Sequence, residues 1–168
     1  MAPASRLVSV EEYLTTNHKP ACEYREGVLT RKPMPTARHS VFQFHTASLV
    51  SRYGDYFPCP ELTLQISPSR FLVPDIGVQL RSDLQEPYPV RPIHLCIEIL
   101  SPSDRLADTA AKCEEYAGWG VAHNWVIDPE KRRALQYQPA TGLAEVPADG
   151  ALTAGPISIP LTELFAIL

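Results

Sequence analysis

Several features that mark large classes of proteins are missing from this sequence. No apolar run approaches the roughly 18 residues of a membrane span, and residues 1–10 contain no apolar signal core, so we expect a cytoplasmic protein. The four cysteines form no CxxC pair, which argues against a zinc site and favours reduced, buried thiols. The chain also has no HExxH sequence and no glycine-rich phosphate loop.

An excess of basic charge is missing as well. The chain has 15 Lys and Arg residues against 19 Asp and Glu residues, a formal net charge of −4. It therefore lacks the general electrostatic signature of a nucleic-acid-binding protein. The fractions of hydrophobic residues, 45%, and charged residues, 20%, are those of an ordinary globular protein. The length suits one domain over residues 1–168.

Proline is abundant, with 17 residues, so helices must be short or lie between prolines, which argues against a helical bundle. We predict helices over 10–16, 37–53 and from 101–104 to about 119, the first from the capping box that begins at Ser9. One face of the second helix is expected to gather Val41, Phe44, Ala47, Leu49 and Val50.

The strand pattern completes the fold prediction. A hairpin is expected over 61–80, with 71–80 as one continuous strand, and 93–100 reads as a central strand covered on both faces. A second hairpin is expected over 124–138, and the tail adds two short strands and a last helix. The order of elements predicts an α/β (α+β) domain with a mixed sheet flanked by helices.

Glu98 is the most informative single residue. With a period of two, it shares a strand face with Cys96 and Leu100, while Ile97 and Ile99 lie on the other face. A carboxylate buried among apolar neighbours needs a proton, a cation or a metal ion. Either a metal site or a structural ion pair satisfies that requirement.

Asp75 is a second acid inside an apolar strand. Pro74 removes a donor from the strand ladder, so the strand has an edge or a bulge at this point. Gly77, on the same face, is expected to leave room for a ligand or a second backbone. The alternative is an aspartate that simply caps a turn.

Two acids on adjacent strands are a more specific signal than either acid alone. The repulsion between paired carboxylates is relieved by a hard divalent cation, and Mg²⁺ binds through a few carboxylates while keeping several waters. Metal-assisted hydrolysis of a phosphodiester is a coherent interpretation of Asp75 with Glu98.

These residues resemble the PD-(D/E)XK nuclease superfamily, which has the restriction-endonuclease-like fold, and within it the bacterial Uma family of endonucleases. The Pro74–Asp75 pair is followed by Glu98 after 23 residues. The resemblance covers about residues 8–166 and is carried by six segments in serial order: 23–29, 33–39, 73–76, 97–103, 112–117 and 120–129.

The resemblance implies roles for particular residues. Asp75 and Glu98 would hold Mg²⁺ (or Mn²⁺) together with the backbone carbonyl of Ile99. The lysine that the superfamily carries two residues after the glutamate is replaced here by Leu100. In the resembling family the next helix supplies this lysine, and Lys112 fits that place. A salt bridge with Asp108, one helical turn earlier, is the structural alternative for Lys112.

Other candidates have weaker signals. Glu26 is a candidate catalytic carboxylate, with a solvated turn residue as the alternative, and Glu23 is a weaker candidate of the same kind. His39 could touch a phosphate or cap a helix, and Glu61 could face the site or lie at an exposed strand end. Tyr116, one helical turn after Lys112, is expected to pack, with orientation of Lys112 as the alternative.

The resemblance therefore implies a Mg-dependent endonuclease that acts on DNA and leaves a 5′-phosphate. A homodimer would suit this activity, because cutting both strands of a duplex is easiest with two sites. Two alternatives stay open. One is a catalytically inactive nucleic-acid- or protein-binding module on the same fold, which Leu100 and the net charge favour. The other is an interaction or toxin-associated protein whose acids serve stability.

Overall fold

A computed structural model describes residues 7–168; residues 1–6, which belong to the segment expected to lack a signal core, lie outside the described part. Within residues 7–168, four α-helices and twelve strands follow one another in this order: α1 (Val10–Thr15), β1 (Cys22–Arg25), β2 (Val28–Arg31), α2 (Ala37–Ser51), β3 (Tyr56–Pro60), β4 (Leu64–Ser67), β5 (Arg70–Leu72), β6 (Ile76–Leu80), β7 (Leu95–Ile99), α3 (Leu106–Trp119), β8 (His123–Asp128), β9 (Arg133–Gln138), β10 (Gly142–Glu145), β11 (Ala151–Ala154), β12 (Ile157–Pro160) and α4 (Leu161–Leu164). None of the helices in this part of the chain is long and apolar enough to cross a membrane.

The main sheet has six strands in the order β10-β9-β8-β7-β6-β3. Strands β7 and β8 are parallel, and the other neighbours are antiparallel, so the sheet is mixed as predicted. A smaller antiparallel sheet has the order β2-β1-β5-β4, and β11 pairs with β12. The α/β fold class predicted from the element order is confirmed.

Strand β7 divides the core as its alternation predicted. Leu95, Ile97 and Ile99 pack into the cluster that contains Phe42 of α2, whereas Cys96 packs with Tyr116 of α3. All five residues of β7 are buried, because helices cover the sheet on both faces. Glu98 therefore points toward α3 from the middle of the main sheet.

Helix α2 forms where it was expected, but the predicted apolar face is correct only for Ala47, Leu49 and Val50. Val41 is 54% exposed and Phe44 76% exposed, whereas Phe42, Leu49 and Val50 are buried. The helix buries a stripe centred on Phe42, Thr46 and Leu49, and this stripe includes polar residues that hide its period from the sequence.

The continuous strand expected over 71–80 is also wrong. The chain forms β5 in the small sheet and β6 in the main sheet, separated by residues 73–75. Pro74 cannot donate to a ladder, which explains why pairing stops here. The break leaves the backbone groups of Val73 free to bind side chains.

Gly77 does not leave room for a ligand. A Cβ atom at this position would lie 2.9 Å from Cδ2 of Leu62 and 3.1 Å from Cδ1 of Ile93. The space beside β6 is filled by these two side chains, and the glycine serves close packing.

Candidate functional site

A cavity of about 660 Å³ opens where the two sheets and helices α2 and α3 meet. Five charged residues at its base form what we call the lysine–carboxylate cluster, which consists of Glu23, Lys32, Asp75, Glu98 and Lys112. Each member comes from a different part of the fold: Glu23 from strand β1, Lys32 from the position after β2, Asp75 from the break between β5 and β6, Glu98 from strand β7 and Lys112 from helix α3.

Asp75 occupies the end of the break between the sheets. Its Oδ1 lies 2.6 Å from Nζ of Lys32, and its Oδ2 accepts a hydrogen bond of 2.7 Å from the backbone N–H of Ile99. Nε2 of His39 lies 3.3 Å from the same Oδ2. Burial alone would raise the pKa of Asp75, but the hydrogen bond with His39 and the charge of Lys32 outweigh it and hold the pKa well below its usual value. Asp75 is therefore a carboxylate at neutral pH.

Glu98 is the second buried acid. Its Oε1 accepts a hydrogen bond of 2.7 Å from the hydroxyl of Tyr116 and lies 2.8 Å from Nζ of Lys112. Burial raises the pKa of Glu98, and the charge of Lys112 opposes that rise only in part. Tyr116, expected to pack, thus also orients this carboxyl group.

Lys112 reaches the cluster from α3. Its Nζ lies 2.6 Å from Oε1 of Glu23 and donates a hydrogen bond of 3.1 Å to the carbonyl of Val73, in addition to its contact with Glu98. These contacts replace the alternative pairing with Asp108. Burial lowers the pKa of Lys112, but the charges of Glu98 and Glu23 outweigh it and raise the pKa, so the ammonium group stays charged.

Two members of the cluster were missed or undervalued from the sequence. Glu23 lies in strand β1, which was not among the predicted strands. In β1, Cys22 and Tyr24 pack into an aromatic cluster, which turns Glu23 toward the pocket. In the sequence, Lys32 is one of several scattered basic residues, and no local pattern indicates that it belongs to a site. The alternation across Glu23 is the one signal that could have been used.

The structure does not bring Glu26 to the site. It occupies the turn between β1 and β2 with φ of 46°, its side chain is 55% exposed, and it pairs with Arg70 at 3.1 Å. The pocket lining includes Glu23 and Arg25 but not Glu26. The structure therefore places Glu23 of β1, and not the predicted Glu26, in the pocket, because the hairpin turn directs residue 26 to solvent.

His39 and Glu61 both line the pocket. The cap of α2 is Thr36, whose side chain accepts from the N–H of His39, so the His39 ring is free to approach Asp75. Glu61 lies 3.3 Å from Nζ of Lys32 and accepts a hydrogen bond from Gln43. Its side chain is 42% exposed, so it stands at the mouth of the pocket.

Leu100 and Ile99 complete the pocket wall beside Glu98. Leu100 cannot supply an ammonium group to the pocket, but Lys112 and Lys32 each supply one. The carboxylates of Asp75 and Glu98 offer hard oxygen donors of the kind that Mg²⁺ or Mn²⁺ prefers. Among residues 7–168, no group of three or more His, Cys, Asp or Glu side chains is arranged to hold a metal ion.

Comparisons with known proteins agree with this architecture. The Uma2 family, described as "Putative restriction endonuclease", matches residues 10–163. A solved structure described as "a putative nuclease belonging to DUF820 from Anabaena variabilis" superposes with a TM-score of 0.79 at 24% identity, over 95% of this chain and 98% of that chain. A DrdV–DNA complex matches 64% of this chain and 9% of that chain, with 15% identity and a TM-score of 0.45. A search of curated proteins found no match. The chain belongs to the Uma2 family and has the restriction-endonuclease-like fold.

Proposed function

We propose that this protein is a nuclease that hydrolyses phosphodiester bonds in DNA with the help of Mg²⁺ or Mn²⁺. The observation that carries the proposal is the convergence of Asp75 and Glu98 on one pocket, where Asp75 accepts from the N–H of the residue that follows Glu98. Membership of the Uma2 family supports nuclease activity in general.

Asp75, Glu98 and the carbonyl of Ile99 would hold the divalent ion. When bound, the ion supplies Lewis-acid activation of the phosphate and a nucleophilic water at neutral pH. The low pKa of Asp75 keeps one ligand ionised without a metal. Tyr116 fixes the orientation of Glu98, and His39 that of Asp75.

Lys112 would stabilise the negative charge that develops on the attacked phosphate. Its ammonium group is charged and is held within the cluster by Glu23, Glu98 and the carbonyl of Val73. A cation that is fixed in position before reaction costs little reorganisation when charge develops. Glu23 is a positioning residue for Lys112 in this scheme.

The test is cleavage of supercoiled plasmid and single-stranded oligonucleotides with Mg²⁺ or Mn²⁺, in parallel with RNA of the same sequence. Asp75→Ala and Glu98→Gln should each lower the rate by about 100-fold or more. Matched controls are Asp149→Ala in an exposed turn and Glu114→Gln on the exposed face of α3, which should cleave like the wild type. Wild-type activity in Asp75→Ala, or cleavage in the presence of EDTA, would contradict the proposal.

One observation favours the second candidate, a binding module without catalysis. Asp75 and Glu98 each already have a lysine within 3 Å, so their charge is balanced before any metal arrives. A module of this kind would bind DNA equally well with and without divalent ions and would leave it intact. A gel-shift assay run beside the cleavage assay distinguishes the two candidates.

A further inference from the structure

Lys32 reaches Asp75 from the hairpin of the small sheet. The residue directly follows β2, and its N–H donates to the carbonyl of Ala21, which anchors the backbone at the edge of the hairpin. From there the side chain reaches the break between the sheets. Its Nζ lies 2.6 Å from Oδ1 of Asp75 and donates a hydrogen bond of 3.1 Å to the carbonyl of Val73. Only 13% of the side chain is exposed.

The oxygen that Lys32 contacts is the one that a metal ion would need. Oδ2 of Asp75 is already engaged by the N–H of Ile99 and by His39, so Oδ1 is the oxygen left for a further cation. Mg²⁺ binds carboxylate oxygen at about 2.0–2.1 Å. An ammonium group and a divalent cation cannot both approach Oδ1 so closely, because their like charges repel strongly at this separation.

The two lysines of the cluster differ in how firmly they are held. Lys112 lies between two buried carboxylates, Glu23 and Glu98. Lys32 has one buried carboxylate partner, Asp75, and a second partner at the mouth of the pocket, Glu61, at 3.3 Å. A small rotation toward Glu61 would release Asp75 without leaving the ammonium group unpaired.

We propose that Lys32 is a built-in counter-ion of Asp75 that a divalent cation displaces toward Glu61, so that Lys32 limits the affinity of the site for metal. The inference rests on the proposed function, since it places the metal on Asp75. In the metal-free protein Lys32 neutralises a buried acid. In the metal-bound protein its ammonium group pairs with Glu61 at the mouth of the pocket. Metal affinity is lower than the carboxylates alone would provide.

The experiment is calorimetric titration of the full chain with Mn²⁺ alone, checked by the electron paramagnetic resonance signal of free Mn²⁺. Lys32→Met keeps much of the side-chain length and removes the charge, and it should bind Mn²⁺ about tenfold more tightly than the wild type. Lys131→Met, the same change at an exposed turn outside the pocket, should match the wild type. Lys32→Arg keeps the charge and binds a carboxylate with two donors, so its Mn²⁺ affinity should equal or fall below that of the wild type.

The outcomes separate this inference from the proposed function. Suppose that Mn²⁺ binds the wild type and that Asp75→Ala abolishes this binding. If Lys32→Met then binds Mn²⁺ no more tightly than the wild type does, the inference on Lys32 is wrong and the metal site stands. Tighter binding to Lys32→Arg than to the wild type overturns it in the same way, even where Lys32→Met does not fold. If neither the wild type nor Lys32→Met binds Mn²⁺, or binding survives Asp75→Ala, both proposals fail.

Discussion

The backbone N–H of Ile99 donates a hydrogen bond of 2.7 Å to the carboxylate of Asp75. This contact joins the break between the two sheets to the end of β7, one residue beyond Glu98. Asp75 is thereby positioned by the backbone of the strand that carries the second acid, and the spacing of the two carboxylates is set by the main sheet. Strands β6 and β7 also pair directly, with Ile76 opposite Ile97.

Replacement of Glu23 tests its proposed role in positioning Lys112. Glu23→Gln removes one of the two carboxylates that hold Lys112, so we expect DNA cleavage to slow while substrate KM changes less than kcat. Glu26→Gln removes only an exposed partner of Arg70 and should have the smaller effect on kcat. Steady-state kinetics on both variants checks this. A larger loss in Glu26→Gln would restore the assignment suggested by the sequence.

Removal of the Tyr116 hydroxyl tests how the buried carboxyl of Glu98 is satisfied. Tyr116→Phe deletes the donor to Oε1 of Glu98, and the loss of a hydrogen bond to a buried polar group costs about 1–3 kcal/mol. Urea denaturation measures the change in the free energy of unfolding. Tyr137→Phe, on β9, is the matched control and should change it by less than about 0.5 kcal/mol. Equal effects from the two changes would argue against a structural role for the Tyr116–Glu98 contact.

Replacement of two different glycines by alanine should change the stability of the protein in opposite directions. Gly77→Ala forces a Cβ atom against Leu62 and Ile93 and should destabilise the protein by about 1–3 kcal/mol. Gly118 lies in α3 with no atom within 4 Å of an added Cβ, so Gly118→Ala should stabilise the protein by about 0.5–1 kcal/mol. Thermal unfolding of both variants checks the signs. A neutral Gly77→Ala would mean that Leu62 repacks freely.

A pair of phenylalanines on α2 tests which face of the helix is buried. Phe42→Ala removes a fully buried ring and should cost about 3–5 kcal/mol, whereas Phe44→Ala, at a position that is 76% exposed, should stay within about 0.5 kcal/mol. Chemical denaturation of the two variants gives the comparison. Similar losses would indicate that the outer face of α2 is covered in solution.

The sequence predicted the parts of the fold that depend on local patterns. The alternation through β7, the end of α3 near residue 119 and the hairpin of β8 with β9 were all predicted correctly, because neighbouring residues determine them. Pro74 predicted an edge or a bulge at residues 73–75 but not a change of sheet, because apolar residues continue on both sides of Pro74 and Asp75. Only the pairing partners of β5 and β6 reveal it.

The residues of the candidate site likewise fall into those that the sequence could indicate and those that it could not. Asp75, Glu98 and Lys112 could be named from strand alternation and from the family resemblance. Lys32 joins them through a contact that spans 43 residues, and Glu23 through contacts with Val73 and Lys112 that no local spacing predicts. Long-range contacts of this kind depend on how the small sheet meets the main sheet.

The strand break at residues 73–75 has a mechanical consequence. Glu23 and Lys32 belong to the hairpin of the small sheet, whereas Glu98 belongs to the main sheet. Residues 73–75 are the direct covalent link between β5 of one sheet and β6 of the other. The cluster can therefore exist only while the two sheets are docked, and a local separation of the hairpin would disassemble the site without melting the rest of the protein.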